Sequence, residues 1–190
     1  MKAKFAISAL LGGILCSGVA LADSVNTCPV DYQAQADAEF GSNTSSILTC
    51  IKKRNDVKVV LNMSTAVLNP KKGISQTLNN AVLMIANYKN LYGISLGDGL
   101  QFDIVAHFQG GKFLLTDDAY NKAANVTTGN PSRAVVESLV AQGVHIYMCQ
   151  NTMRGNSWVT SDLIPGVEEV PGGVLALVDF SARGWAVITP

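Results

Sequence analysis

Cys149 and His107 are the residues whose chemistry stands out in this chain. Cys149 closes the apolar run Val144 to Cys149 and is followed by Gln150-Asn151-Thr152. A thiol at the end of a strand and just ahead of a helical turn meets unpaired N–H groups and the positive end of the helix dipole. Both favour the thiolate, which is the nucleophilic form of cysteine. Arg154 is close enough in sequence to add a positive charge. His107 closes a second apolar run, Phe102 to His107, and is a candidate base or thiolate partner. Asn62 and Ser64 stand at the end of a third run, Val57 to Met63. In an open parallel α/β sheet, ligands bind beyond the carboxyl ends of the strands. Cys149, His107, Asn62 and Ser64 therefore belong to one edge, with Gly110 in the turn after His107 and Asn151, Thr152 and Arg154 beyond Cys149 as further substrate-binding candidates. His145 lies inside its strand pattern and reads as a packed or surface histidine.

Several other chemistries are excluded. No CxxC pair is present for dithiol exchange, no GxSxG nucleophile turn and no phosphate-cradling glycine loop. With 2 histidines and no ligand cluster, no metal site is expected, and no cofactor. Lys plus Arg number 14, as do Asp plus Glu, and such a balance does not suit nucleic-acid binding. Hydrophobic residues make up 48% and charged residues 15%, which supplies one buried core and excludes a disordered chain.

The first 22 residues read as a secretory signal peptide. Lys2 and Lys4 precede the apolar stretch Phe5 to Val19, and Ala20-Leu21-Ala22 fits a small-x-small cleavage site before Asp23. The stretch is about 15 residues, short of the ~20 needed to span a bilayer, so no membrane span is expected after cleavage. The short leader places the mature protein in a periplasm. There it keeps Cys28, Cys50 and Cys149, an odd set in an oxidising compartment. A bridge between Cys28 and Cys50 would close a loop of about 20 residues, worth roughly 3 kcal/mol in the chain-entropy model. Cys149 would be the thiol left over.

Residues 23–56 are polar and form an N-terminal extension, with helix-capping residues at Ser42 to Ser46. The domain proper spans 57–190 and alternates strand and helix. Strands are expected at 57–63, 102–107, 144–149, 167–170 and 185–188. Helices are expected at 75–91, 113–124, 132–142 with Pro131 at its head, and 173–183 stopped by Gly184. The stretch between Cys149 and Gly166 reads mainly as a loop. Strands separated by helices predict right-handed crossovers and a mostly parallel sheet covered on both faces.

From Val57 to Pro190 the chain resembles the DsrE/DsrF-like proteins, which have the YchN-like fold. The resemblance rests on VKVVLNM, LNNAVLMIANY, FDIVAHFQGG, LVAQGVHIYMCQNT and the closing SDLIPGVEEVPGGVLALVDFSARGWAVITP. It implies a flavodoxin-like α/β three-layer sandwich that assembles as a homotrimer or homohexamer. It also implies sulfur relay, in which a strand-end cysteine accepts sulfur as a persulfide and passes it to a partner protein. Cys149 matches that cysteine by position, and Asn151 and Thr152 match the turn beside it. The family's strand-end histidine usually continues with glycine, where this chain has Phe108. Two other functions stay open on the residues: a non-catalytic oligomer that binds a small molecule or acts as a scaffold, and a redox-sensing thiol protein.

Overall fold

A computed structural model of the protein describes residues 56–190, together with Asp37, Ala38 and Gly41. The leader, Cys28, Cys50 and nearly all of the 23–56 extension lie outside the described residues.

The sheet is built from β1 (Val57–Met63), β2 (Ser95–Leu96), β3 (Gly99–Ala106), β4 (His145–Cys149), β5 (Glu168–Val170) and β6 (Ala186–Ile188). Its order is β5-β4-β3-β1-β6, with the short β2 paired to β3, and every pairing is parallel. The expected parallel α/β architecture is therefore what the chain adopts. β1 and β3 sit at the centre and are buried along most of their length, as near-continuous Val, Leu and Ile runs require.

Alternation along the strands sorts side chains onto two unequal faces. One face carries Val59, Leu61, Met63, Phe102, Ile104, Ile146 and Met148 into the main core. Helices α1 (Gln76–Tyr92), α2 (Asp117–Ala124) and α3 (Arg133–Ala141) cover it, for example through Leu78, Tyr120 and Leu139. The other face carries Val60 and Val105, packed by Leu177 and Phe180 of a later helix, α5, spanning Gly173–Ala182. A short helix, α4 (Gln150–Asn156), starts directly from Cys149.

Element ends follow local chemistry. Ser75 caps α1 by accepting the Leu78 N–H, and Gly93 ends it in the left-handed conformation (φ 64°) that glycine adopts without a Cβ clash. The expected single helix over 113–124 is two pieces. A 3-10 helix over Phe108–Leu114 stops at Leu115, which bridges to Leu163, and α2 starts only at Asp117. The Thr116 N–H is taken by the Asp162 carbonyl at 2.8 Å, which breaks the helical ladder there. Pro131 does not head its helix, because α3 begins at Arg133 after Ser132. The Asn130 side chain sets that start: its amide bonds the Phe113 and Leu115 carbonyls, and its oxygen accepts the Ser132 N–H. The stretch after Cys149, expected mainly as loop, contains α4 and a 3-10 turn at Thr160–Asp162. β3 begins at Gly99, earlier than its apolar run suggested, and β6 is Ala186–Ile188.

Gly110 is a structural residue. Its N–H donates to the Ser64 carbonyl at 3.3 Å, and a Cβ there would lie 2.2 Å from the Met63 carbonyl oxygen. That oxygen already accepts the His107 N–H at 3.0 Å, so the backbone cannot easily yield. Gly110→Ala is expected to destabilise the protein by more than about 2 kcal/mol, because the added methyl meets backbone and not a flexible side chain. Urea unfolding followed by circular dichroism measures this.

Candidate functional site

The register of the central strands brings the chemistry to one edge. Met63 pairs with Ala106, Ala106 with Met148, and Cys149 with Val170, so four strands end side by side. Beyond them lies an open cavity of about 360 Å³ lined by His107, Phe108, Cys149, Asn151, Thr152 and the start of α5 at Gly172 to Leu175, together with Gly155 and Asn156.

Cys149 is 5% exposed and is not bridged. Burial is the largest single influence on its thiol and pushes the pKa up. Hydrogen bonds from the Gly173 backbone, the Thr152 side chain and the Thr152 and Asn151 backbones outweigh it, and the thiol lies below its ordinary range. These are local donors aimed at one sulfur. Thr152 is doubly engaged, since its Oγ1 also accepts the Phe108 N–H at 2.9 Å.

His107 stands on the cavity wall, almost fully buried. Its Nε2 lies 2.7 Å from Asn62 Oδ1, and the Asn62 amide donates to Thr189 Oγ1 at 3.0 Å. The Asn62 oxygen thus faces the ring, and Nε2 is the protonated nitrogen. Burial holds the imidazole pKa below its ordinary value, so the ring is neutral near pH 7. The start of α5 packs directly on this ring: a Cβ on Gly173 would lie 2.8 Å from the His107 Cβ. Glycine at 173 lets the chain come close enough for its N–H to serve the Cys149 sulfur.

The family model for the DsrE/DsrF-like family matches residues 63–190. The chain belongs to the DsrE/DsrF-like family. Among solved structures it is similar to MTH1491 from Methanobacterium thermoautotrophicum, a protein of unknown function. That match has 27% identity and a TM-score of 0.50, and covers 71% of this chain and 100% of the other. It is also similar to the ychN protein from E. coli, with 20% identity and a TM-score of 0.50, covering 70% of this chain and 99% of that one, a likeness of fold. No curated protein matches.

Within this DsrE/DsrF-like domain the expected site residues separate into two groups. Cys149, His107, Asn151 and Thr152 meet around the cavity. Asn62 stands behind His107 and orients it. Ser64 and Gly110 bond to each other through backbone and do not line the cavity. Arg154 is exposed and is not among the groups that act on the thiol, so the expected help from its charge is replaced by neutral donors. His107 likewise brings no positive charge. Sequence reasoning missed Gly172, Gly173, Val174 and Leu175, which come from an element remote in sequence. The signal available was the Pro171-Gly172-Gly173 break just before an apolar helix.

His145 proves to be a surface histidine, 2.7 Å from the Glu168 carboxylate. It belongs to a second polar cluster with Tyr147 and Asp103, on the same sheet face as Cys149 but toward the opposite end of the strands. Asp103 is only 6% exposed, and burial raises its carboxyl pKa to about 6, with the His145 charge and backbone opposing. Among the described residues, no group of His, Cys, Asp and Glu side chains could hold a metal ion. No helix among them is long and apolar enough to cross a membrane.

Two outcomes follow. Thr152→Val removes the hydroxyl donor to Cys149, so the thiol pKa should rise and iodoacetamide alkylation should shift to higher pH, with a several-fold slower rate near pH 7. Asp103 binds its proton more tightly folded than unfolded. Its stabilising contribution is therefore complete below pH 3.8 and is lost as pH rises through about 6. Asp103→Asn should then stabilise the protein at pH 7.5 by up to about 3 kcal/mol and have little effect at pH 3.5, as read from denaturant midpoints at the two pH values.

Proposed function

We propose that this protein accepts a sulfane sulfur on Cys149 and relays it as a persulfide to a partner protein. The observation that carries the reading is a strand-end thiol served by the Gly173, Asn151 and Thr152 donors at the wall of a cavity. Family membership supports it, because sulfur relay is associated with DsrE-like proteins.

The chemistry needs no bound cofactor. The Cys149 thiolate attacks the outer sulfur of a donor R–S–SH. A new S–S bond forms to Cys149 as the donor S–S bond breaks, and R–S⁻ leaves with the electron pair. Cys149–S–SH is left, with no net oxidation. Its persulfide anion, one sulfur further into the cavity, is met by the cavity's neutral walls. Delivery reverses the step: an acceptor thiolate attacks the terminal sulfur and Cys149 departs as thiolate. The donors that lower the thiol pKa stabilise both the attacking and the leaving form.

In this reading the leader is cleaved before Asp23, and the mature chain works in the periplasm as a homotrimer or homohexamer with a sulfur donor and acceptor protein. The Cys28–Cys50 bridge secures the extension and leaves Cys149 as the working thiol. The 5% exposure of Cys149 favours a competing reading, a scaffold or binding oligomer in which the thiol is packed and inert.

Intact mass of the purified mature protein decides between them. Incubation with polysulfide should add one sulfur, removable by reductant and abolished in Cys149→Ala. Failure of every donor to load a folded wild-type protein would leave the packed-thiol reading standing.

A further inference from the structure

The rim of the Cys149 cavity is more apolar than its chemistry requires. Phe108 is 67% exposed and Leu175 is 70% exposed, and Val174 beside it is also open to solvent. They come from different elements, Phe108 from the segment after β3 and the two aliphatics from the first turn of α5, yet all three line the same cavity. Scattered exposed hydrophobics are ordinary on a protein surface, but three of them lining one opening beside a thiol call for a reason. Among the described residues that line the cavity, none is an Asp, Glu, Lys or Arg. Nothing there would attract or hold an inorganic anion by charge.

Phe108 is costly in the free protein. Its φ is 48°, in the left-handed region that bulky residues avoid. Its backbone is held there by the N–H donated to Thr152 Oγ1, the same residue whose side chain serves Cys149. The ring lies tilted against His107, with centroids 4.8 Å apart and planes 55° from parallel, but buries little of its own surface. Glycine would hold the same backbone without strain. The side chain therefore contributes where something else covers it.

We infer that Phe108, with Val174 and Leu175, makes this cavity select organic persulfides whose sulfur carries an apolar group over charged donors. The inference rests on the relay reading above and adds the donor's class to it. In the loading step the apolar group R of R–S–SH would lie against the Phe108 ring and the Leu175 side chain while the outer sulfur meets Cys149. R–S⁻ then leaves through the same open mouth. Burial of R is the binding term, since the cavity walls supply no counter-charge.

The experiment compares benzyl hydropersulfide with glutathione hydropersulfide as donors to the full mature protein. The rate of sulfur gain on Cys149 is followed by mass, each normalised to the same donor's rate with N-acetylcysteine. Wild type should prefer the benzyl donor by about tenfold, a difference on the scale of a partly buried ring. Phe108→Gly should cut the preference at least threefold, and Leu175→Ser should cut it independently, so that a folding failure in one variant does not decide the result. Equal normalised rates in wild type would overturn the inference while leaving the relay reading intact. A preference unchanged in both variants would do the same, and if these variants instead changed the oligomeric state by size exclusion, the rim would be a contact between copies. No sulfur on Cys149 from either donor would remove the relay reading and the inference together.

Discussion

The Gly173 N–H reaching the Cys149 sulfur is the contact on which the site depends. A buried thiol resists ionisation, and here burial alone is the largest influence on Cys149. Its pKa lies below the ordinary range because donors from two separate parts of the chain converge on it. Asn151 and Thr152 follow automatically from the strand-to-helix turn after β4. Gly173 does not: it is the first residue of α5, three residues past the end of β5. For its amide to arrive, α5 must start hard against His107, and only a residue without a Cβ fits there. His107 must in turn keep its ring in place, which the Asn62–Thr189 chain does from behind. The packing of α5 on Val60 and Val105, through Leu177 and Phe180, fixes the direction from which that amide approaches.

This arrangement explains why much of the fold could be read from residues and part of the site could not. The central strands are legible because burial on both faces demands the mainly apolar runs of Val57 to Met63 and Phe102 to Ala106. Asn151 and Thr152 were legible because they are neighbours of the thiol in sequence. What failed were inferences about pairs distant in the chain. The break at Leu115 depends on a bridge to Leu163, and the start of α3 depends on Asn130 bonding two carbonyls that precede it by many residues. Arg154 fails as a partner for the opposite reason: closeness in sequence says nothing about direction, and the α4 turn carries it to solvent. A positive residue near a cysteine is a common signal for a reactive thiol, and in this chain neutral donors take its place.

Two polar regions share the sheet face that α5 covers. Register puts Asp103 and His145 at one end of that face, where the Glu168 carboxylate reaches His145, and His107 and Cys149 at the other, with Val105 and Tyr147 between. The formal charges gather at the first end, where Arg183 also acts on Asp103. At the thiol end, no Asp, Glu, Lys or Arg is among the described residues that line the cavity. A permanent cation beside Cys149 would depress its pKa further, but a thiolate held too tightly is a poorer nucleophile, since nucleophilicity falls with pKa. Hydrogen bonds from neutral donors lower the pKa without a fixed charge, and in the proposed relay they would serve a persulfide and a thiolate alike. A carrier must both take and release its cargo at one atom. Separating fixed charge from the thiol along a single sheet face is a physical way to keep those two steps close in free energy.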